Sequence, residues 1–85
     1  MSDQTAIDLF VDLNTKDETG LPWSLLSEAR DATRIVPGAH IVVGSGRIRA
    51  VALVVGVNRE GVVHIRPLPG PVGEHQHLLT SRGIA

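Results

Sequence analysis

The segment Ala50–Val57 is an unbroken run of alanine, leucine, valine and glycine in a chain of 85 residues. Its valine content favours a β-strand. A strand with one wet face alternates apolar and polar residues, whereas this segment is apolar on both faces. Three arrangements would cover both faces: a bent strand shared by two halves of a small barrel, a covering helix, or a second subunit. We expect the barrel and a helix, with a homodimer as the alternative.

The residues around this run predict an antiparallel meander. The glycine-rich segment Gly44–Gly46 suits a hairpin loop, and Asn58–Gly61 has the pattern of a type I turn whose last residue needs positive φ. Pro67 lacks the N–H that a central strand donates, so it ends the last strand. The predicted strands are Ala39–Val43, Arg47–Val57 and Val62–Arg66.

The N-terminal half predicts one further strand and one helix. Apolar residues alternate over Ile7–Leu13, which indicates a half-buried strand, although Ile7, Phe10 and Val11 also fit helical spacing. Pro22–Arg30 begins with proline and carries an apolar stripe, as a short covering helix would. Trp23 is expected to lie mainly in the core, because a small domain with two aromatic residues needs their area for burial.

These elements predict a single domain over residues 1–85 of the α+β class, mainly β. Residues 3–34 form an acidic strand plus helix, residues 35–72 the barrel or meander, and residues 73–85 a C-terminal tail with a helical turn near Glu74–Leu79. The architecture expected is a small antiparallel barrel or curved sheet, with an N-terminal strand and one short covering helix.

Charge is divided along the chain. Residues 1–31 hold seven acidic and two basic residues, whereas residues 32–85 hold two acidic residues and six arginines. We favour the interpretation that the acidic segment folds over the basic half and neutralises it. The alternative is an anionic partner for the basic half.

The segment Ile35–Gly44 resembles the opening of SH3-like small barrels, including the KOW segment of translation and transcription proteins. Ala50–Val54, Glu60-Gly61 and Val62–Ile65 continue the same strand–turn–strand order, so the resemblance covers residues 35–68. It implies a small β-barrel and, through the KOW segment, a role with RNA. The sequence departs from the KOW pattern at Ala50, where a glycine is usual.

Catalytic and metal-binding patterns are weak in this sequence. The absence of cysteine excludes disulfides, thiolate zinc sites and cysteine nucleophiles. Ser45 lacks the surrounding pattern of a nucleophile elbow, and His75 and His77 with Glu74 make a weak metal signal. We therefore expect no enzyme activity, no cofactor and no metal. The N-terminus lacks a signal-peptide pattern and no run reaches membrane-spanning length, so a cytoplasmic location without membrane contact is expected.

The sequence predicts a non-catalytic interaction module that binds a protein partner and associates with itself, because its apolar strand surface exceeds what one small sheet hides. A strand edge or the groove beside Trp23 is the expected contact surface. The candidate partner-binding residues are Trp23, His40, Arg47, Arg49, His64 and Arg66. The first alternative is nucleic-acid binding through arginines of the meander. The second is a small regulator or inhibitor that uses its acidic N-terminal surface.

Overall fold

A computed structural model describes the chain over residues 6–83, and residues 1–5, 84 and 85 lie outside the description. Five strands form the fold: β1 (Leu9–Phe10), β2 (Trp23–Leu25), β3 (His40–Ser45), β4 (Ile48–Val57) and β5 (Val62–Pro67). The helical elements are three short 3-10 helices (Leu26–Glu28, Ala32–Arg34 and Val72–His75) and α1 (Gln76–Gly83). The predicted small, mainly β fold of the α+β class is confirmed. No helix within residues 6–83 has both the length and the apolar content to cross a membrane.

The five strands form one sheet in the order β1-β3-β4-β5-β2, which curls until its two edges approach each other. Leu9 on β1 forms a bridge with Ala29, and the Arg30 N–H donates to the Asp8 carbonyl at 2.8 Å. These contacts join β1 to the segment that follows β2 and bring the sheet close to a closed barrel. Only β1 departs from the predicted antiparallel pattern, because it runs parallel to β3.

The barrel interior is filled by aliphatic side chains from every strand except β2, with Ile35 added from the loop before β3. The buried members are Leu9, Val11, Ile35, Ile41, Val43, Ala52, Val54, Val63 and Ile65. On β3 and β4 these residues alternate along the chain, as the period of two in a strand requires. Burial of this cluster is the main driving force for closing the barrel.

A β-bulge divides β4 into two parts. Val54 pairs with Ile65, but Gly56 and not Val55 pairs with His64, so one extra residue interrupts the register. The bulge shifts the alternation by one residue, and Val57 consequently packs against the same core as Val54. The predicted bent strand is therefore confirmed, and the shift is one reason why Ala50–Val57 does not alternate.

The opposite face of β3 and β4 is covered by the C-terminal segment. Val42 and Val51 are register partners, are almost completely buried, and point away from the barrel interior. The 3-10 helix Val72–His75 contacts β4, and α1 contacts β3. Both faces of β4 are thus buried within one chain at Val51, Ala52 and Val54, whereas Val55 at the bulge stays exposed. The predicted C-terminal tail is helical as far as Gly83.

The prediction of a covering helix over Pro22–Arg30 is wrong. Trp23–Leu25 forms β2, paired antiparallel with β5, and only the single 3-10 turn Leu26–Glu28 follows. The Leu26 N–H donates to the Gly61 carbonyl at 2.7 Å, which fixes the end of β2 against the turn before β5. Pairing with the free edge of β5 outweighs the modest helical preference of the segment.

The limits of the four predicted strands also change. Only Leu9–Phe10 forms β1, but Ile7, Leu9 and Val11 are buried as the alternation predicted, so the helical interpretation of Ile7–Leu13 is wrong. The β3–β4 turn consists of Gly46 and Arg47, and Gly44 lies inside β3. The predicted turn Asn58–Gly61 is confirmed, with Gly61 at φ +82°.

Gly44 is held where no other residue fits. Its φ is +140°, and a Cβ atom built there would overlap the carbonyl oxygen of Ile48 on β4. We predict that Gly44→Ala lowers the free energy of unfolding by about 2–4 kcal/mol, from backbone strain and displacement of the hairpin. Urea unfolding followed by circular dichroism measures the change.

The matched control is Gly56→Ala, because Gly56 has an ordinary φ and open space where its Cβ would lie. Gly56→Ala should leave the unfolding midpoint almost unchanged. Equal effects of the two substitutions would contradict this account of Gly44.

Candidate interaction surface

The six side chains predicted to bind a partner do not converge on one site. Trp23 lies on β2, His40 on β3, Arg47 in the β3–β4 turn, Arg49 on β4, and His64 and Arg66 on β5. The register places Trp23 opposite His64. A separate row runs from His40 through Leu53 to Arg66. The sheet therefore distributes these residues over at least two parts of the surface.

The two strand histidines are separated by β4. Strands lie about 5 Å apart, so His40 on β3 and His64 on β5 are about 10 Å apart across the sheet. The register offsets them further, because His40 lies in the row of Arg66 and not of His64. The two rings do not form the paired acid–base or phosphate site that the sequence left open.

The arginines of the meander are widely spaced. Arg47 precedes β4 and Arg59 follows it, which separates them by up to about 30 Å at about 3.3 Å per residue. Within residues 6–83, no ion pair joins an acid to Arg47, Arg59 or Arg66. Direct ion pairs with the described acidic residues therefore do not neutralise these three arginines. Acidic side chains of the first segment contact the basic half in the pairs Asp31–Arg34 and Asp17–His64. In the first pair, Oδ2 of Asp31 lies 3.8 Å from Nε of Arg34.

Asp17 fastens the loop between β1 and β2 to the sheet. Its Oδ2 lies 2.6 Å from Nε2 of His64, and its Oδ1 accepts hydrogen bonds from the hydroxyl and the N–H of Thr19. The hydrogen bonds from Thr19, followed by the contact with His64, lower the pKa of Asp17 from 3.8 to about 2. The ionised carboxylate thereby holds the loop against β5 beside Trp23.

An apolar groove lies where β1 and β2 approach each other. Phe10 exposes 49% of its surface and Leu25 exposes 42%, with the half-buried Trp23 between them in the same wall. The floor is fixed by Ser24, whose hydroxyl donates to the Phe10 carbonyl at 2.6 Å. We call this surface, with Asp12, Thr15 and Glu28 at its rim, the β1–β2 groove.

The groove carries negative charge at its rim. Asp12 and Glu28 line it, and no lysine or arginine lies in the same wall. A second hollow on the other side of Phe10 shares Glu28 and is lined by Ala6, Ile7, Ser27, Ala29 and, at one end, Arg30. Phe10 therefore stands between two adjoining hollows, and the groove suits an apolar group with a basic neighbour.

The sequence prediction named a groove beside Trp23 as one possible contact surface, but it did not name Phe10 as part of that groove. The alternation that buries Ile7, Leu9 and Val11 places Phe10 on the opposite face, so the signal for an exposed Phe10 was present. Trp23 is partly buried but lies outside the barrel core, which corrects the prediction that it lies mainly in the core. The change follows from its position in β2, because Ser24 takes the inward position there.

A second exposed apolar feature is the turn between β3 and β4. Ile48 exposes 63% of its surface, more than any other large hydrophobic side chain that the structure describes. Arg47 precedes it and is also exposed. We call Gly46, Arg47 and Ile48 the β3–β4 tip.

The polar side chains of the described residues make structural contacts and are not gathered in a reactive cluster. Within residues 6–83 no three histidine or acidic side chains lie close enough together to hold a metal ion. His75 contacts the carbonyl of Pro69 at 2.6 Å, and the Ser24 hydroxyl is bonded to the backbone of β1. The groove presents hydrophobic area and negative charge.

Comparison with known proteins gives no relative for this chain: no family model, no curated protein and no solved structure matches it. The functional argument therefore rests on the geometry of the groove, the tip and the charges around them.

The Asp17–His64 contact predicts a pH-dependent contribution to stability. Because folding lowers the pKa of Asp17, its carboxylate stabilises the fold above about pH 4, and this contribution is lost as the pH falls towards 2. Asp17→Asn should therefore lower the urea midpoint at pH 6, and its difference from wild type should shrink at pH 3.

Glu60→Gln is the matched control, since it removes one negative charge from an exposed turn remote from His64. Subtracting its effect isolates the contact from the general change in charge. A difference between wild type and Asp17→Asn that stays constant from pH 6 to pH 3 would contradict the role of the ionised Asp17 carboxylate.

Proposed function

We propose that this protein is a non-catalytic interaction module that binds a protein partner through the β1–β2 groove. The observation that carries the proposal is the position of Phe10, Trp23 and Leu25. The only two aromatic side chains of the sequence stand with an exposed leucine at one surface groove. Aromatic side chains in concave surfaces are the usual anchors of protein–protein contacts.

The rim of the groove defines the chemistry of the partner. Asp12 and Glu28 favour a segment in which an apolar side chain is flanked by lysine or arginine. The apolar side chain would pack against Phe10 and Leu25, and the basic residues would approach the two carboxylates. Charge at the rim mainly raises the association rate, and burial of the apolar anchor supplies most of the affinity.

The form of the barrel is consistent with such a module. The loop between β1 and β2 is fastened by Asp17 and His64, and Ser24 fixes β2 to β1, so the groove is held in shape before a partner arrives. A preformed surface loses less conformational entropy on binding. The proposal also includes an SH3-like meander formed by β3, β4 and β5, because residues 35–68 resemble SH3-like small barrels in sequence.

Nucleic-acid binding is the second candidate. The observation that favours it is that Arg47, Arg59 and Arg66 have no acidic partner within residues 6–83, which leaves their charge available to phosphates. Their spacing argues against it, because Arg47 and Arg59 lie at opposite ends of β4. The exposed aromatic residue Phe10 stands beside acids, which repel a phosphate backbone.

The test compares three immobilised forms of the protein in an extract of its native host: wild type, Leu25→Lys and Val36→Lys. Leu25→Lys places a positive charge in the groove, whereas Val36 is equally exposed in the loop before β3 and serves as the matched control. We expect a protein retained by wild type and by Val36→Lys to bind Leu25→Lys roughly tenfold more weakly or not at all.

Retention of the same proteins by all three forms would contradict binding through the groove. Retention of nuclease-sensitive material that is lost on substitution of Arg47 and Arg66 would support the second candidate in place of the first. Quantitative mass spectrometry of the retained fractions measures both outcomes.

A further inference from the structure

The β3–β4 tip and the β1–β2 groove are complementary in shape and charge. The tip is convex and presents the exposed Ile48 next to Arg47. The groove is concave and apolar, with carboxylates at Asp12 and Glu28. The tip therefore carries, within this same chain, the apolar side chain and basic neighbour that the groove favours.

We propose that the groove accepts the β3–β4 tip of a second copy of this chain. This inference rests on the proposed function, because it names a partner for the same surface. In the contact, Ile48 of one copy packs against Phe10 and Leu25 of the other, and Arg47 lies beside Glu28 and Asp12. Two unlike patches of one chain thereby form a specific self-association.

The tip does not fill the groove of its own chain. Phe10 pairs with Gly44 on β3 in parallel register, so the tip lies beyond the end of β1, whereas the groove lies between β1 and β2, on the side of β1 away from β3. Both Ile48 and Phe10 accordingly remain exposed within the single chain. A second copy is needed to bring the two patches together.

The proposed assembly is reciprocal. Two copies related by a twofold axis each place their tip in the groove of the other. Reciprocal exchange closes the assembly as a dimer, whereas a one-way contact would extend into a chain of copies. Each contact is small, so the dimer belongs to the transient class and dissociates on dilution.

Sedimentation velocity over a range of concentrations tests the proposal on the full chain. We expect wild type and the control Val36→Lys to show the same concentration-dependent dimer. Ile48→Asp places an acid opposite the acidic rim, and Leu25→Lys places a base opposite Arg47, so each variant alone should be monomeric. An equimolar mixture of these two variants should form dimers again, because it retains one native contact and gains an attractive Asp–Lys contact.

A charge exchange gives a second test that does not alter the apolar residues. Arg47→Glu should weaken the dimer roughly tenfold or more by placing an acid beside Glu28. Adding Glu28→Arg in the same chain should restore most of the affinity. Both residues are exposed, and the circular dichroism spectrum and urea midpoint of each variant verify that the fold is kept.

A dimer that withstands Ile48→Asp and Leu25→Lys, or a mixture that stays monomeric, would overturn the tip–groove contact. Wild type that is monomeric at every concentration would overturn self-association. In that case, capture of another protein by wild type but not by Leu25→Lys would still support the proposed function. If no protein were captured in this groove-dependent way, both the proposed function and the self-association would be contradicted. The two failures are therefore distinguishable.

Discussion

The constraint on which the structure depends is that β4 is apolar on both of its faces and must be covered on both. One face closes on the barrel core through Ala52 and Val54. The other, at Val51, is buried together with Val42 beneath the C-terminal segment. The bulge at Val55 bends the strand so that Val57 also turns to the core. One chain therefore buries β4 on both faces at Val51, Ala52 and Val54 and leaves Val55 exposed.

This arrangement determines which large apolar side chains remain exposed. Phe10 and Leu25 remain exposed at the groove where the sheet closes, Ile48 at the hairpin tip, Val55 at the bulge and Val36 in the loop before β3. The closure uses backbone contacts from β1 and the inward Ser24, so β2 directs Trp23 and Leu25 outward. The same geometry that completes the barrel thus creates the groove to which we assign partner binding.

The sequence was informative where structure is decided locally. Glycine and asparagine predicted the turn before β5, and valine-rich segments predicted β3, β4 and β5 within a few residues. Pro22–Arg30 was predicted incorrectly because its strand depends on the free edge of β5, which is distant in sequence. The sequence suggested a groove beside Trp23, but its lining could not be predicted, since the groove forms only where β1 and β2 approach. The sequence indicated only that the side chain of Phe10 points outward, because the buried apolar residues around it occupy the alternate positions.

The most direct test of this account is a methyl nuclear Overhauser experiment on Val42 and Val51, using a mixture of labelled and unlabelled protein. The account predicts contacts from both valines to residues 72–83 of the same chain, at concentrations where the protein is monomeric and where it is not. Contacts to the C-terminal segment that are missing, or that appear only between differently labelled copies, would contradict it. A second subunit would then cover the apolar face of β4, and the groove would no longer be distinguished as the exposed apolar surface of the protein.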